Sequence, residues 1–384
     1  MKIMGILTAA VIIAGAAPFR IIYAHSAEQP EVSARAAVLI SADTGEVVWE
    51  ENSGEKLPMA STTKIMTALL CIESGGLDEP FVVDSDAIHV EGSSMGLQEG
   101  DIVTKYDLCC GMLLPSGNDA ANAAAVRIAG SIDKFADLMN DRAREMGLSK
   151  TYFVTPSGLE GEGHGSSARD MAVLAQNALK NDIFRSICSQ TSIKLEFGAP
   201  PYPRWLKNTN KLLTMYDGVY GVKTGFTDEA GRCLVSACER DGKSLICVTL
   251  NDRNDWNDHI ALYDYGFDAV KTVSPELPES VALPLAGGGT EYLTAVPEVR
   301  EVSITTAGMS GEDFTIEVVS PPFIYAPIRK GEPAAELRIS CGGTEVRRII
   351  LLSAEDAPLK KAEVPEKKES LANRLISALR SFFS

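Results

Sequence analysis

The sequence predicts a mixed α/β (α+β) protein. Helices and an antiparallel sheet fill residues 30–273, a small all-β sandwich fills 274–355, and a C-terminal amphipathic helix at 370–384 follows a linker at 356–369. Three observations predict this. Apolar strand runs and helical patterns share the chain as far as residue 273. From about Ser274 helical periodicity stops, and short β-rich runs follow, separated by Pro, Gly and acidic residues. At the C-terminus, Leu371, Ala372, Leu375, Ile376, Ala378, Leu379, Phe382 and Phe383 fall within a helical arc of about 160°.

The elements follow in order. Residues 36–40 and 47–49 are strands joined by the turn Asp43-Thr44-Gly45, a β-hairpin. A helix runs from Ser61 to about Glu73, and an apolar segment spans 106–114. An Ala-rich helix covers 119–129. Ser131 caps a further helix reaching Met146, with Gly147 as its stop. Ser167-Ala168-Arg169-Asp170 reads as a capping box opening the next helix. Strands at 219–223, 233–239 and 244–250 form an antiparallel meander, and 259–270 is a closing helix. The β-rich runs are 280–283, 291–295, 301–305, 314–319, 335–340 and 347–352. Residues 356–369, rich in Lys, Glu and Pro, read as the linker.

Residues 1–24 have the pattern of an export signal: basic Lys2, an apolar run over 3–17, and small residues near a cleavage site at 24–27. The run is short for a membrane span and is followed by Arg20. The chain has 384 residues, 45% of them hydrophobic, enough for a sizeable core. Its net charge of −16 argues against nucleic acid as a partner. The tail from Lys360 runs the other way, with six basic residues against three acidic. Together with its apolar face, this points to a membrane surface and, with the export signal, to the outer face of the cytoplasmic membrane and the cell-wall space. The four His are scattered, and no CxxC occurs among the eight Cys, so no metal or cofactor is expected. Cys71 and Cys109 lie in apolar runs, and the cysteines are read as mostly reduced core residues.

Several motifs could carry chemistry. Gly92-Ser93-Ser94-Met95-Gly96 matches GxSxG, but no helix follows it, so it reads as a loop. Ser-x-x-Lys occurs at Ser53, at Ser131 and at Ser61-Thr62-Thr63-Lys64. Only the last opens an apolar helix, where positions i and i+3 share a face and a desolvated Lys64 is placed to take the Ser61 proton. Ser116-Gly117-Asn118 offers a second hydroxyl and an amide on a turn before a helix. Lys223-Thr224-Gly225, at the end of a strand, offers groups for a carboxylate and a glycine that lets a substrate backbone approach.

The ordered set Ser-x-x-Lys, Ser-x-Asn, Lys-Thr-Gly resembles that of penicillin-binding proteins and class A β-lactamases. With Pro115-Ser116-Gly117-Asn118-Asp119-Ala120-Ala121, Asn208-Thr209-Asn210-Lys211 and Gly221-Val222-Lys223-Thr224-Gly225-Phe226-Thr227, the chain resembles a low-molecular-mass penicillin-binding protein, a serine-type D-alanyl-D-alanine carboxypeptidase. The resemblance covers almost the whole chain. It implies a β-lactamase/transpeptidase-like catalytic fold, a peptidoglycan stem pentapeptide as substrate and β-lactams as covalent inhibitors. It further implies Lys64 as base, Ser61 as nucleophile, and the backbone N–H groups of Ser61 and Phe226 as the oxyanion hole. Ser116 would relay a proton and Asn118 would hold the substrate amide. Lys223, Thr224 and Thr227 would bind the terminal carboxylate. Relatives often add an Arg there, for which Arg253 is the candidate, although Asn251 and Asp252 replace the usual small neighbours.

The alternatives are a β-lactamase, a DD-endopeptidase and a non-catalytic penicillin-binding sensor. A β-lactamase needs a deacylating Glu, and Glu160 and Glu162 sit in no clear match to the loop that supplies it. A sensor would be expected to have lost a motif residue.

Overall fold

The computed structural model describes residues 29–159, 161–360 and Ile376. The export signal at 1–24 with its cleavage site at 24–27, Glu160, most of the linker and nearly all of the terminal helix lie outside the described residues. The structured chain divides into two units. The first takes the chain up to Glu276 and also 301–315 and 340–347, and the second comprises 277–300, 316–339 and the chain from 348.

Strand β1 (Ala36–Ser41) explains the first unit, because all six of its residues are buried. Alternate side chains leave a strand on opposite faces. Ala36, Val38 and Ile40 join the larger core, whereas Ala37 and Leu39 join a second core on the other face. A strand with apolar residues at both parities needs cover on both faces, and helices supply it. β1 pairs with β2 (Val47–Glu51). Between this hairpin and the next sheet strands lie α1 (Lys64–Glu73), the short strands β3 (Phe81–Val82) and β4 (Ile102–Val103), α2 (Lys105–Leu113), α3 (Asn118–Ala129), α4 (Ile132–Glu145), α5 (Ala168–Leu179), α6 (Asp182–Cys188), the hairpin β5 (Ser192–Gly198) and β6 (Pro201–Lys207), and α7 (Leu212–Met215). Then come β7 (Val219–Thr227), β8 (Gly231–Arg240), β9 (Lys243–Leu250) and α8 (Asp255–Ala269). The sheet order is β2-β1-β9-β8-β7, antiparallel throughout, with β7 at an edge. Residues of α1, α2, α3 and α5 fill the larger core, and Leu262, Tyr263 and Phe267 of α8 fill the other.

Local signals act as the sequence predicts, with three differences. Ser131 accepts the Lys134 N–H, and Gly147 adopts φ +73° after α4. Ser167 accepts the Asp170 N–H, but the Asp170 carboxylate turns to Lys150 N and Thr151 Oγ1, so half the expected capping box forms. Strand β7 runs past residue 223 to Thr227, because Gly231–Cys233 continue its ladder. Helix α8 begins before His259, with Asp255 and Asp258 in its first turn, where acids suit the helix N-terminus.

The later strands are β10 (Lys271–Val273), β11 (Val281–Ala286), β12 (Tyr292–Pro297), β13 (Ile304–Thr306), β14 (Phe314–Val319), β15 (Ile324–Tyr325), β16 (Pro333–Cys341) and β17 (Thr344–Ser353). Six of them form one hydrogen-bonded order, β14-β16-β17-β12-β11-β15, where the sequence predicts the two sheets of a sandwich. β13 pairs instead with β10. Beside it the buried carboxylate of Glu46 accepts the N–H groups of Ala307 and Gly308 and the hydroxyl of Thr306. These contacts hold residues 301–308 in the first unit. All eight cysteines are free, seven of them buried.

Between the sheet and α8, His259 is fully buried, with Nδ1 2.7 Å from Ser236 Oγ and Nε2 3.1 Å from Thr249 Oγ1. Burial pushes its pKa from 6.5 down to about 3, so the folded protein keeps it neutral. Below pH 6.5 the unfolded chain binds this proton and the native state does not, so stability falls as the pH falls. Between pH 7 and 5, urea unfolding should show wild type losing about 2 kcal/mol more than His259→Gln. Equal losses would refute the assignment.

Candidate active site

Ser61 sits in a 3₁₀ turn, Ala60–Thr63, that feeds directly into α1. Ala60 carries φ +46°, an uncommon conformation for a residue with a Cβ. Lys64 opens the helix and is wholly buried. Its Nζ lies 2.9 Å from Ser61 Oγ, 2.6 Å from Asn118 Oδ1 and 2.6 Å from the Ser157 carbonyl. The last two groups can only accept, so a neutral amine gives its two protons to them. Its lone pair then faces the Ser61 hydroxyl. Burial first, and the nearby Lys223 cation second, hold the Lys64 pKa well below its usual 10.5, with Asp119 pulling the other way. The pair therefore has the geometry and the electrostatics of a nucleophile and its base.

Ser116 is buried at φ +68° in the turn before α3. Its hydroxyl has no protein partner among the described residues. Asn118 bridges Lys64 and the Glu91 carbonyl, 2.7 Å from its Nδ2. Asp119 accepts from Ser94 Oγ and from the N–H groups of Met95, Gly96 and Leu97. Residues 92–97 thus wrap a carboxylate, and the GxSxG match is the loop the sequence predicts.

Strand β7 closes the other side. A Cβ on Gly225 would lie 3.0 Å from Met59 O and 3.1 Å from Ser61 N. The glycine makes room for the protein's own Ser61 turn, a use that differs from the expected approach of a substrate. Lys223 is buried, its Nζ donates to the Thr224 carbonyl, and burial lowers its pKa to about 7. Thr224 Oγ1 meets Thr209 Oγ1 at 2.7 Å. Ser61, Ser116, Thr209, Thr224, Gly225 and the exposed Phe226 line one cavity of about 330 Å³.

The D-alanyl-D-alanine carboxypeptidase model of the S11 peptidases matches residues 23–254. The chain belongs to this family. DacF of Bacillus subtilis (strain 168), a D-alanyl-D-alanine carboxypeptidase, is 34% identical over 343 residues, 86% of each chain. DacC of Escherichia coli (strain K12), another, is 31% identical over 350 residues. The solved structure of the D-alanyl-D-alanine carboxypeptidase DacD from Francisella tularensis superposes with a TM-score of 0.61 at 25% identity, covering 89% of this chain and 97% of that one.

Within this D-alanyl-D-alanine carboxypeptidase fold, the structure brings Ser61, Lys64, Ser116, Asn118, Lys223, Thr224, Gly225 and Phe226 to one place. Two predicted site residues differ. Thr227 Oγ1 accepts the Ala230 N–H at 3.0 Å and so serves the β7–β8 turn. Arg253 is exposed and absent from the cavity wall, because it follows Asp252, whose carboxylate is tied into the Ser33 and Asn254 contacts. The arginine that does line the cavity is Arg232, with Asp255, Trp256, Ser93 and Lys211. Its only signal in the sequence is its place opposite Phe226 across the β7–β8 hairpin, which becomes visible once the register is known. Glu162 lines a different cavity, with Lys56 and Glu229, so among the described residues it is not placed as a deacylating base for Ser61.

His164 Nδ1 accepts the Val154 N–H, which puts its proton on Nε2, 2.9 Å from Thr63 Oγ1. This ties the segment that supplies Ser157 to the residue before Lys64. The tight fit at Gly225 gives a prediction. Gly225→Ala should cost about 1–3 kcal/mol in unfolding free energy and slow acylation of Ser61 by about tenfold or more. An acylation rate within twofold of wild type, followed by intact-protein mass spectrometry, would refute it.

Proposed function

We propose that this carboxypeptidase works through an acyl-enzyme on Ser61, with Lys64 as the base. The observation that carries the reading is the Lys64 Nζ, 2.9 Å from Ser61 Oγ, with its other two positions held by Asn118 and Ser157. The substrate is a peptidoglycan stem pentapeptide ending in D-Ala-D-Ala. Lys64 takes the hydroxyl proton as Ser61 Oγ attacks the carbonyl of the penultimate D-Ala. The backbone N–H groups of Ser61 and Phe226 receive the oxyanion, consistent with the contact of β7 on the Ser61 turn. The proton passes through Ser116 to the leaving amine, and D-Ala departs. Water then enters, gives a proton back to Ser61, and releases the shortened peptide.

Lys223 acts in this reading mainly through its charge. It is buried beneath β7 and lowers the Lys64 pKa. Asn118 holds Lys64 as well as the substrate amide. A β-lactam follows the same first step and stays attached, because its leaving group remains tethered. The export signal and the basic amphipathic C-terminus support a place on the outer face of the cytoplasmic membrane. A chain ending at Glu369 should then move from membrane pellets to the soluble fraction, and retention in the pellet would refute the anchor.

Purified protein should release D-Ala from a D-Ala-D-Ala pentapeptide and be labelled by a fluorescent penicillin. Ser61→Ala should do neither, and residual release or labelling would overturn the assignment. Lys64→Arg should be inactive at every pH, because a guanidinium does not deprotonate. In wild type, acylation should rise with pH as Lys64 loses its proton. Lys223→Met removes a cation that lowers the Lys64 pKa, so this limb should move to higher pH. A limb that stays in place would show that Lys223 does not tune the base.

A further inference from the structure

A carboxypeptidase must recognise a free terminal carboxylate, and the cavity offers few cations for it. Lys64 and Lys223 lie buried behind the wall with their Nζ atoms turned to protein acceptors. Lys211 lines the cavity but is exposed on a flexible stem. Arg232 lines it too, and it is held. Its Nη2 lies 2.6 and 2.8 Å from the two oxygens of Asp255, a carboxylate that is itself 4% exposed. Its guanidinium lies over the Trp256 ring, 5.3 Å from the centroid. Among the described residues Nη1 has no protein partner. The charge is permanent, because arginine keeps its proton at every working pH.

The register places this group. Arg232 pairs with Phe226 across β7 and β8, and Leu234 pairs with Thr224. Cross-strand partners share a face, so Arg232 stands on the face that carries Thr224 and is its diagonal neighbour.

We propose that Arg232 binds the terminal carboxylate of the substrate through Nη1, with Asp255 and Trp256 as its positioning residues. This rests on the carboxypeptidase reading above and adds to it the residue that selects a free C-terminus. Asp255 serves two ends: it fixes the guanidinium in one orientation, and it leaves one edge of the fork open.

The test compares a pentapeptide ending in D-Ala-D-Ala with the same peptide amidated at its C-terminus. Release of D-Ala or D-alaninamide is measured for wild type, Arg232→Gln, Arg232→Lys and Lys211→Gln. Arg232→Gln should lose about ten- to hundredfold in kcat/KM on the acid, and its preference for acid over amide should fall by a similar factor. Arg232→Lys should lie between the two, and Lys211→Gln should keep the wild-type preference. A role confined to packing would lower both substrates together and leave the preference unchanged, which overturns the proposal. So does a loss of preference in Lys211→Gln alone. If wild type releases nothing from the amide, turnover of the acid by Arg232→Ala with added guanidinium decides. Recovery above a sodium chloride control supports the proposal, and no recovery overturns it. If wild type releases no D-Ala from the acid, or Ser61→Ala still does, the carboxypeptidase reading fails, and not the role of Arg232 within it.

Discussion

A lysine amine with no exposure to solvent governs the rest of this architecture. Lys64 must find acceptors inside the protein, since burying a charged or polar group without partners costs several kcal/mol. Its three partners come from three places: the turn before α1, the start of α3, and the loop that contains Ser157. None of these can shift alone without leaving the amine short of a partner. The same burial holds the amine's pKa well below its usual value and so frees its lone pair to act as a base. Structural demand and chemical function are therefore one constraint, met by one set of atoms.

The nucleophile's turn is fixed by exclusion as much as by hydrogen bonds. Gly225 of β7 approaches the turn from one side, and Gly158 from the other, where a Cβ would stand 2.0 Å from the Ala60 carbonyl. A side chain at either position would push against backbone, which has nowhere to yield. Between them the turn holds Ala60 in a left-handed conformation that costs of order 1–3 kcal/mol and persists only because its surroundings over-determine it. Close packing of three backbone segments thus sets the position of one hydroxyl.

Much of the first unit was legible because its signals are local. The strand β1, the Ala-rich α3 and the Ser131 cap each follow from residues within a few positions of one another. The site motifs were legible because the order of three short patterns carries more information than any one of them. What was not legible depends on register and on long-range contacts. Arg232 and Arg253 look alike in a linear reading, and only the β7–β8 pairing brings one of them into the cavity. Thr227 has a use the motif does not show: its hydroxyl accepts the Ala230 N–H within the β7–β8 turn, while its O–H remains able to donate. In the second unit the strand runs were visible in sequence, but which edges join is decided by pairing partners far apart in the chain.

Glu46 carries one more consequence. Its carboxylate lies in the hairpin near the start of the chain, yet its donors come from residues 306–308, after the chain has begun its second unit. The first unit is therefore not complete at residue 276, where its first segment ends. A chain cut at residue 276 would leave the Glu46 carboxylate without those donors. Residues 301–308 are accordingly a late instalment of the fold that carries the chemistry.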